Sequence, residues 1–180
     1  MNPNPVISFF VPGVPQPGGS KRAFVNKKTG RAIVTEDCKR NKPWRSVVVG
    51  IAMQALGTAP PLAGPLVVEF TFFILRPKGH FGSGRNSARL KPSAPGWPVV
   101  KPDTTKLVRA VEDALTGIAW VDDALIVEQV ARKVYGPRPG VRVVIEAKHR
   151  PGDELPADVE VDPSLNPQVW RSATAEDLSA

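Results

Sequence analysis

The chain has 180 residues, 42% of them hydrophobic, a net charge of +7 and a single cysteine, Cys38. That is enough for one ordinary core, but it excludes an internal disulfide and a zinc site built on cysteine pairs. The charge is unevenly spread: residues 1–150 carry 23 Lys and Arg against 10 Asp and Glu, a balance of +13, whereas residues 151–180 carry 1 against 7, a balance of −6. A basic body attracts polyanions by neutralising phosphates and releasing counterions, so nucleic acid is the first partner to consider, with an inert basic surface as the alternative. The N-terminus, Met-Asn-Pro-Asn-Pro, has no charged start followed by an apolar region, and no apolar run approaches the ~18 residues of a membrane span. The expectation is a protein of a reducing cytoplasm, neither exported nor membrane-embedded.

In chain order, Val6–Val11 is a β-type run that ends where proline and glycine between Pro12 and Gly19 forbid its continuation. Phe24-Val25 and Ala32-Ile33-Val34 flank Lys27-Lys28-Thr29-Gly30-Arg31, a pattern that predicts a short basic hairpin. Between Pro43 and Leu56, Trp44, Val47, Val48, Ile51, Ala55 and Leu56 form one helical stripe with Gly57 as its stop. Leu66–Leu75 is β-branched and aromatic throughout and reads as a buried strand central to a sheet. Residues 78–99, rich in glycine, serine and proline and carrying Lys78, Arg85, Arg89 and Lys91, read as a mobile basic loop that closes over DNA.

A second helix is marked by Leu107, Ala110, Val111, Ala114 and Leu115, capped by Asp103 or Thr104 and ended by Gly117. Ile126–Val134 and Val141–Ala147, joined by Gly136-Pro137-Arg138-Pro139-Gly140, predict a hairpin. The whole is read as a single α/β (α+β) domain over residues 1–150, a mixed sheet packed by two main helices, followed by an acidic, disordered tail over 151–180.

Acids are scarce in the body, yet five of its ten carboxylates, Asp103, Glu112, Asp113, Asp122 and Asp123, lie within 21 residues that also hold Lys106 and Arg109, with Lys101 just before them. Phosphodiester hydrolysis gives such a cluster a purpose. A hard divalent cation needs oxygen ligands, can deprotonate a bound water and can offset charge developing on the phosphate. Asp103 precedes the helix and a short turn after it can bring Asp122-Asp123 back; adjacent extended residues point to opposite faces, so one of that pair faces Asp103. The competing structural reading makes Asp103 a helix cap and Asp122-Asp123 a polar turn. Arg109 suits a phosphate clamp, or a surface pair with Asp113 at i, i+4. Lys21, Arg22, Lys27, Lys28, Arg31, Lys101 and Lys106 are candidates for DNA contact. Trp44 and Trp120 are read as core, and the isolated His80 and His149 do not make a metal site.

Lys101-Pro102-Asp103, Leu107, Ala110-Val111-Glu112-Asp113-Ala114-Leu115-Thr116-Gly117 and Trp120 shortly before Asp122-Asp123 resemble the RusA family of crossover junction endodeoxyribonucleases, often encoded by phages and prophages. Val11-Pro12-Gly13-Val14-Pro15, Gly19-Ser20-Lys21-Arg22, Lys42-Pro43-Trp44-Arg45 and Arg132-Lys133-Val134-Tyr135-Gly136 are similar too, so the resemblance spans roughly residues 6–148. It implies a homodimer that uses Mg²⁺, with Mn²⁺ as a substitute, to resolve Holliday junctions in recombination and repair inside a bacterial host cell. Asp103, Asp122 and Asp123 would be metal ligands, with Asp103, Asp123 and Arg109 catalytic. The family pattern Asp-x-Asp-Asn-Leu is here Asp103-Thr104-Thr105-Lys106-Leu107, so Thr105 stands where a carboxylate is expected and could hold a metal-bound water only weakly. Two other readings remain open: a non-catalytic DNA-binding protein on the same fold, and a metal-dependent nuclease preferring flaps or forks.

Overall fold

The structure, a computed structural model, describes residues 6–19, 21–25, 27–36 and 39–148. The expectations for Cys38, His149 and the acidic tail lie outside them. The strands are β1 (Val6–Pro12), β2 (Lys21–Val25), β3 (Ala32–Glu36), β4 (Leu66–Leu75), β5 (Ile126–Gly136) and β6 (Gly140–Ala147), with helices α1 (Asn41–Leu56) and α2 (Thr104–Leu115). β1, β6, β4 and β5 form a four-stranded mixed sheet in that order, and β2 and β3 form the basic hairpin read from the sequence as a separate two-stranded sheet. Among the described residues no helix is long and apolar enough to cross a membrane.

One face of the four-stranded sheet carries the core. Ile7, Phe9 and Val11 of β1, Val141, Val143 and Ile145 of β6, and Val68, Phe70 and Phe72 of β4 are buried and in register across the strands, as the period of two requires. Against them pack Trp44, Val48 and Ala52 of α1 and Leu107, Val108, Ala110, Val111, Ala114 and Leu115 of α2. On α1 the predicted stripe is correct except at Val47, which is 43% exposed. The helix also begins earlier than Pro43, at Asn41.

The predicted hairpin of the last two strands does not form. β4 lies between β5 and β6, parallel to β5 and antiparallel to β6. Turn residues signal only that the chain reverses; they do not say whether it returns beside the strand it left or one strand further. Here Pro137-Arg138-Pro139 crosses the end of β4. A Cβ on Gly136 would come within 2.7 Å of the Phe73 ring, and one on Gly140 would meet Phe10 and the Val11 carbonyl, so glycine is needed where the crossing chain passes these groups. The parallel pairing of β4 with β5 follows from the long connection between them, which contains α2.

Residues 78–99, expected as a loop, contain two short 3₁₀ turns and a bridge between Phe81 and Leu90. Lys91 closes the segment twice, its backbone N–H donating to the His80 carbonyl and its Nζ to the Gly79 carbonyl, at 2.9 and 2.8 Å. Arg76 donates to the Pro95 carbonyl at 2.8 Å and stacks over Tyr135 at 3.9 Å.

The return from α2 to β5 is clamped by Trp120, which is fully buried. Leu62 and the Trp120 turn exchange backbone bonds at 3.0 Å on either side, Leu62 N–H to the Ala119 carbonyl and Val121 N–H to the Leu62 carbonyl, and the indole Nε1 donates to Thr116 Oγ1 at 3.2 Å. Trp120→Ala is expected to cost about 3–5 kcal/mol of stability in chemical denaturation, the range for deleting a buried large aromatic, and to loosen the turn that presents Asp122 and Asp123.

Candidate active site

α2 is sharply amphipathic, and its two faces do different work. While one stripe is sealed in the core, Thr105, Lys106, Arg109, Glu112 and Asp113 look onto a cavity of about 430 Å³ whose remaining walls are Gly18, Gly19, Val108, Asp123 and Gln129. Three other elements complete it: the loop after β1, the turn before β5, and β5 itself.

The loop after β1 is pinned on the helix. The Gly18 N–H donates to the Lys106 carbonyl at 2.8 Å, and a Cβ there would sit 3.0 Å from Ala110 Cα. Gly19 has a φ of +75° and lies under the Arg109 side chain, whose Cδ would be 2.8 Å from an added Cβ. The paired glycines thus let the loop approach α2 and leave the guanidinium its room. Among the described residues Arg109 has no ion pair. The alternative pairing with Asp113 is not formed, because Asp113 is taken by Arg45 of α1, carboxylate at 3.7 Å and backbone carbonyl at 2.6 Å.

Asp103 occupies the N-cap position of α2, but its side chain makes no capping hydrogen bond. Its carboxylate instead lies 3.6 Å from Lys106 Nζ, both groups about half exposed, an arrangement worth little in stability and easily exchanged. Asp103 does not line the cavity; Lys106, its partner, does. The Asp122-Asp123 pair divides: Asp122 accepts from the Ala124 N–H at 2.9 Å and so caps the turn, while Asp123 lines the cavity. Thr105 lines it too. Lys101 is exposed, and Lys27, Lys28 and Arg31 are exposed at the tip of the basic hairpin. The side chains of Lys21 and Arg22 lie outside the described residues.

Five contributors were not singled out from the sequence as site residues. Glu112 and Gln129 are joined by a hydrogen bond from Gln129 Nε2 to Glu112 Oε1 across the cavity. Gly18 and Gly19, as above, form its floor on the other side. Lys133 acts just outside: its Nζ donates to the carbonyls of Val100 and Pro102, both at 2.9 Å, fixing the segment that delivers Asp103. The signals were present as a carboxylate on the polar stripe of α2 and as the Arg132-Lys133-Val134-Tyr135-Gly136 string, but neither pattern says what its side chains reach.

Burial raises the Glu112 carboxyl above its ordinary value of 4.5; Asp123 and Asp113 push it further up, while the Gln129 hydrogen bond and Arg109 pull it down. Two carboxylates that repel one another in one cavity suit a divalent cation. Among the described residues no three acidic, histidine or cysteine side chains gather as a fuller cage. Mg²⁺ does not need one, since it commonly keeps several waters and is held by one or two carboxylates. Asp123 and Glu112, with the Thr105 hydroxyl, meet that requirement.

Among known proteins, the family model described as endodeoxyribonuclease RusA matches residues 12–146. The uncharacterized protein YqaN of Bacillus subtilis (strain 168) is 28% identical over 142 residues, covering 77% of this chain and 94% of that protein.

Because the Glu112 carboxyl is raised in the fold, the native state holds its proton more tightly than the unfolded chain does. Its contribution to stability therefore falls as pH rises above 4.5 and through the folded value. Glu112→Gln keeps an oxygen for Gln129 and removes that penalty. The variant is expected to melt at a higher temperature than the parent at pH 7 without divalent metal, with the gap closing below pH 4.5.

Proposed function

The chain belongs to the endodeoxyribonuclease RusA family, and from that premise we propose that it is a Mg²⁺-dependent endonuclease that resolves Holliday junctions, in the bacterial cytoplasm, by paired phosphodiester hydrolysis. The observation that carries this reading is the cavity on the polar stripe of α2, lined by the carboxylates of Glu112 and Asp123, by Lys106 and by an Arg109 guanidinium that has no ion pair among the described residues. Anion-binding and metal-binding groups side by side are what cleavage of a phosphodiester requires.

Asp123, Glu112 and Thr105 would hold the ion, Mg²⁺ or in its place Mn²⁺, with Asp103 joining them when Lys106 turns from its carboxylate to a phosphate. When bound, the ion supplies an acidified water and offsets charge on the phosphate. The chain's own residues do the rest. Arg109 presents planar donors to the non-bridging oxygens of the scissile phosphate. Lys106 and Lys101 draw the backbone to the cavity, Lys27, Lys28 and Arg31 of the hairpin, with Lys21 and Arg22, hold duplex arms, and Asp122 keeps Asp123 in place through the turn it caps. The products are nicked duplexes with 5′-phosphate and 3′-hydroxyl ends. Because a four-way junction needs two related cuts on opposing strands, the enzyme works as a homodimer whose two-fold axis places two such cavities.

Thr105 supports a second reading, a junction-binding protein without catalysis, since a neutral oxygen stands where the family pattern carries a carboxylate. One experiment separates them. A synthetic four-way junction and a matched linear duplex are incubated with Mg²⁺ or EDTA, with the native chain and Asp123→Asn. Paired nicks that need Mg²⁺, favour the junction and drop by about 100-fold or more in Asp123→Asn, the scale expected when a group acting on the transition state is lost, are the expected outcome. Tight binding with no cleavage selects the binding protein, and equal cleavage of flaps or forks would change the substrate. In the same assay Thr105→Asp is expected to lower the Mg²⁺ concentration at half-maximal cleavage, as an added carboxylate in the cavity should.

A further inference from the structure

The sheet ends on β5, and among the described residues the outer edge of that strand is open. Val127 through Arg132 are all exposed, β5 pairs with β4 alone, and no backbone hydrogen bond from another described segment reaches its far side. Val127 is 66% exposed and Val130 37%. The strand contains no proline, and its one irregularity falls at its very start, between Ile126 and Glu128. From Glu128 onward it is a regular row of unpaired donors and acceptors, a template for another strand.

The residues along that edge specify which strand. A two-fold axis perpendicular to the sheet pairs residues on the same face, so each possible register is centred on one residue. Centred on Val130, the antiparallel register sets Glu128 opposite Arg132, Gln129 opposite Ala131 and Val130 opposite itself. The mirrored Glu128 and Arg132 then form two opposite-charge pairs with a valine contact between them, the cross-strand combinations that stabilise an antiparallel ladder. Centred on Gln129, the strand would oppose Glu128 to Val130; centred on Ala131, it would oppose Arg132 to Val130. Neither matches the charges.

Arg132 is already turned to this use. It shares the outer sheet face with Thr71 and Glu69, and its Nη2 lies 2.8 Å from Glu69 Oε1 with half of the side chain still exposed, so the guanidinium can span an acid on each side. We propose that two copies of this chain pair β5 to β5, antiparallel about Val130, joining their four-stranded sheets into one. The inference rests on the dimeric reading given above and names its interface. Gln129, which lines the cavity, lies on the helix side of the joined sheet at the two-fold, so both cavities open on the same side, beside the axis.

The test uses the full chain with Cys38→Ser, so that any disulfide is the engineered one. Val130→Cys in that background brings two thiols together across an antiparallel pair whose Cα separation of about 4.5–5.5 Å a disulfide can bridge. Oxidation with copper phenanthroline should link the dimer nearly completely, while Thr71→Cys, on the same face but one strand in, stays unlinked. By analytical ultracentrifugation, Glu128→Arg should weaken the dimer about tenfold or more, and Glu128→Arg with Arg132→Glu should restore it. A dimer that forms without the Val130 cross-link, or a double exchange no better than Glu128→Arg alone, overturns this interface and leaves the dimeric reading standing. A monomeric native chain overturns both. Neither readout depends on DNA cleavage, so loss of the nuclease reading would be seen separately.

Discussion

The structure depends on the division of one helix. α2 is twelve residues long, and its apolar stripe is completely sealed against the sheet, with Leu107, Ala110, Val111 and Leu115 at zero exposure. Close-packed interiors permit little rotation or sliding of such a helix, so the polar stripe is aimed by the packing of the apolar one. Thr105, Arg109 and Glu112 face the cavity because Leu107, Val111 and Leu115 cannot face it. The rest follows from where the chain must go before and after: the Gly18-Gly19 loop is held on one side by the Lys106 carbonyl, and the Trp120 turn returns Asp123 on the other.

Electrostatics explains why the site is confined to this place. Across a body with a surplus of +13 over residues 1–150, a phosphate backbone is attracted nearly everywhere, and attraction alone carries no chemistry. The acids are gathered at one position, and the fold manages each differently. Asp113 is neutralised by Arg45 and ties α1 to α2, Asp122 is spent on the turn, and Asp103 is lightly held by Lys106. Asp123 and Glu112 are left lining one cavity without an ion pair among the described residues, and burial of Glu112 makes that arrangement unfavourable while both are charged.

Much of the fold was legible because it rests on periodicity. The stripe of α2, the run of β4 and the basic hairpin each satisfy one local rule without conflict, and each is found where the rule puts it. What was not legible depended on contacts between distant segments. The 136–140 turn announced a reversal, but only the presence of β4, some sixty residues earlier in the chain, turns a hairpin into a crossing over a strand. Val47 fits the helical period, yet the sheet beneath α1 covers Trp44, Val48 and Ala52 and leaves it outside. In the site, Asp123, Thr105 and Arg109 were visible as residue types at telling positions. Glu112 and Gln129 were not, because their roles come from facing each other across a helix-to-strand gap that spacing alone does not encode.

The same contrast bears on the departure at Thr105. In the family pattern that the sequence resembles, a carboxylate is expected there, and its absence read alone suggests a weakened site. The helix offers a physical answer. Glu112 is seven residues further on, two turns at about 3.6 residues each, and so lies on the same stripe as Thr105 and lines the same cavity. Gln129 holds its carboxylate toward that space, and Asp123 stands near enough to raise its proton affinity. The negative charge missing at the first turn of α2 is present at its third. A carboxylate displaced along one face of a rigid helix serves the same cavity from a different depth, so the loss at Thr105 changes where a cation would sit more than whether the cavity can attract one.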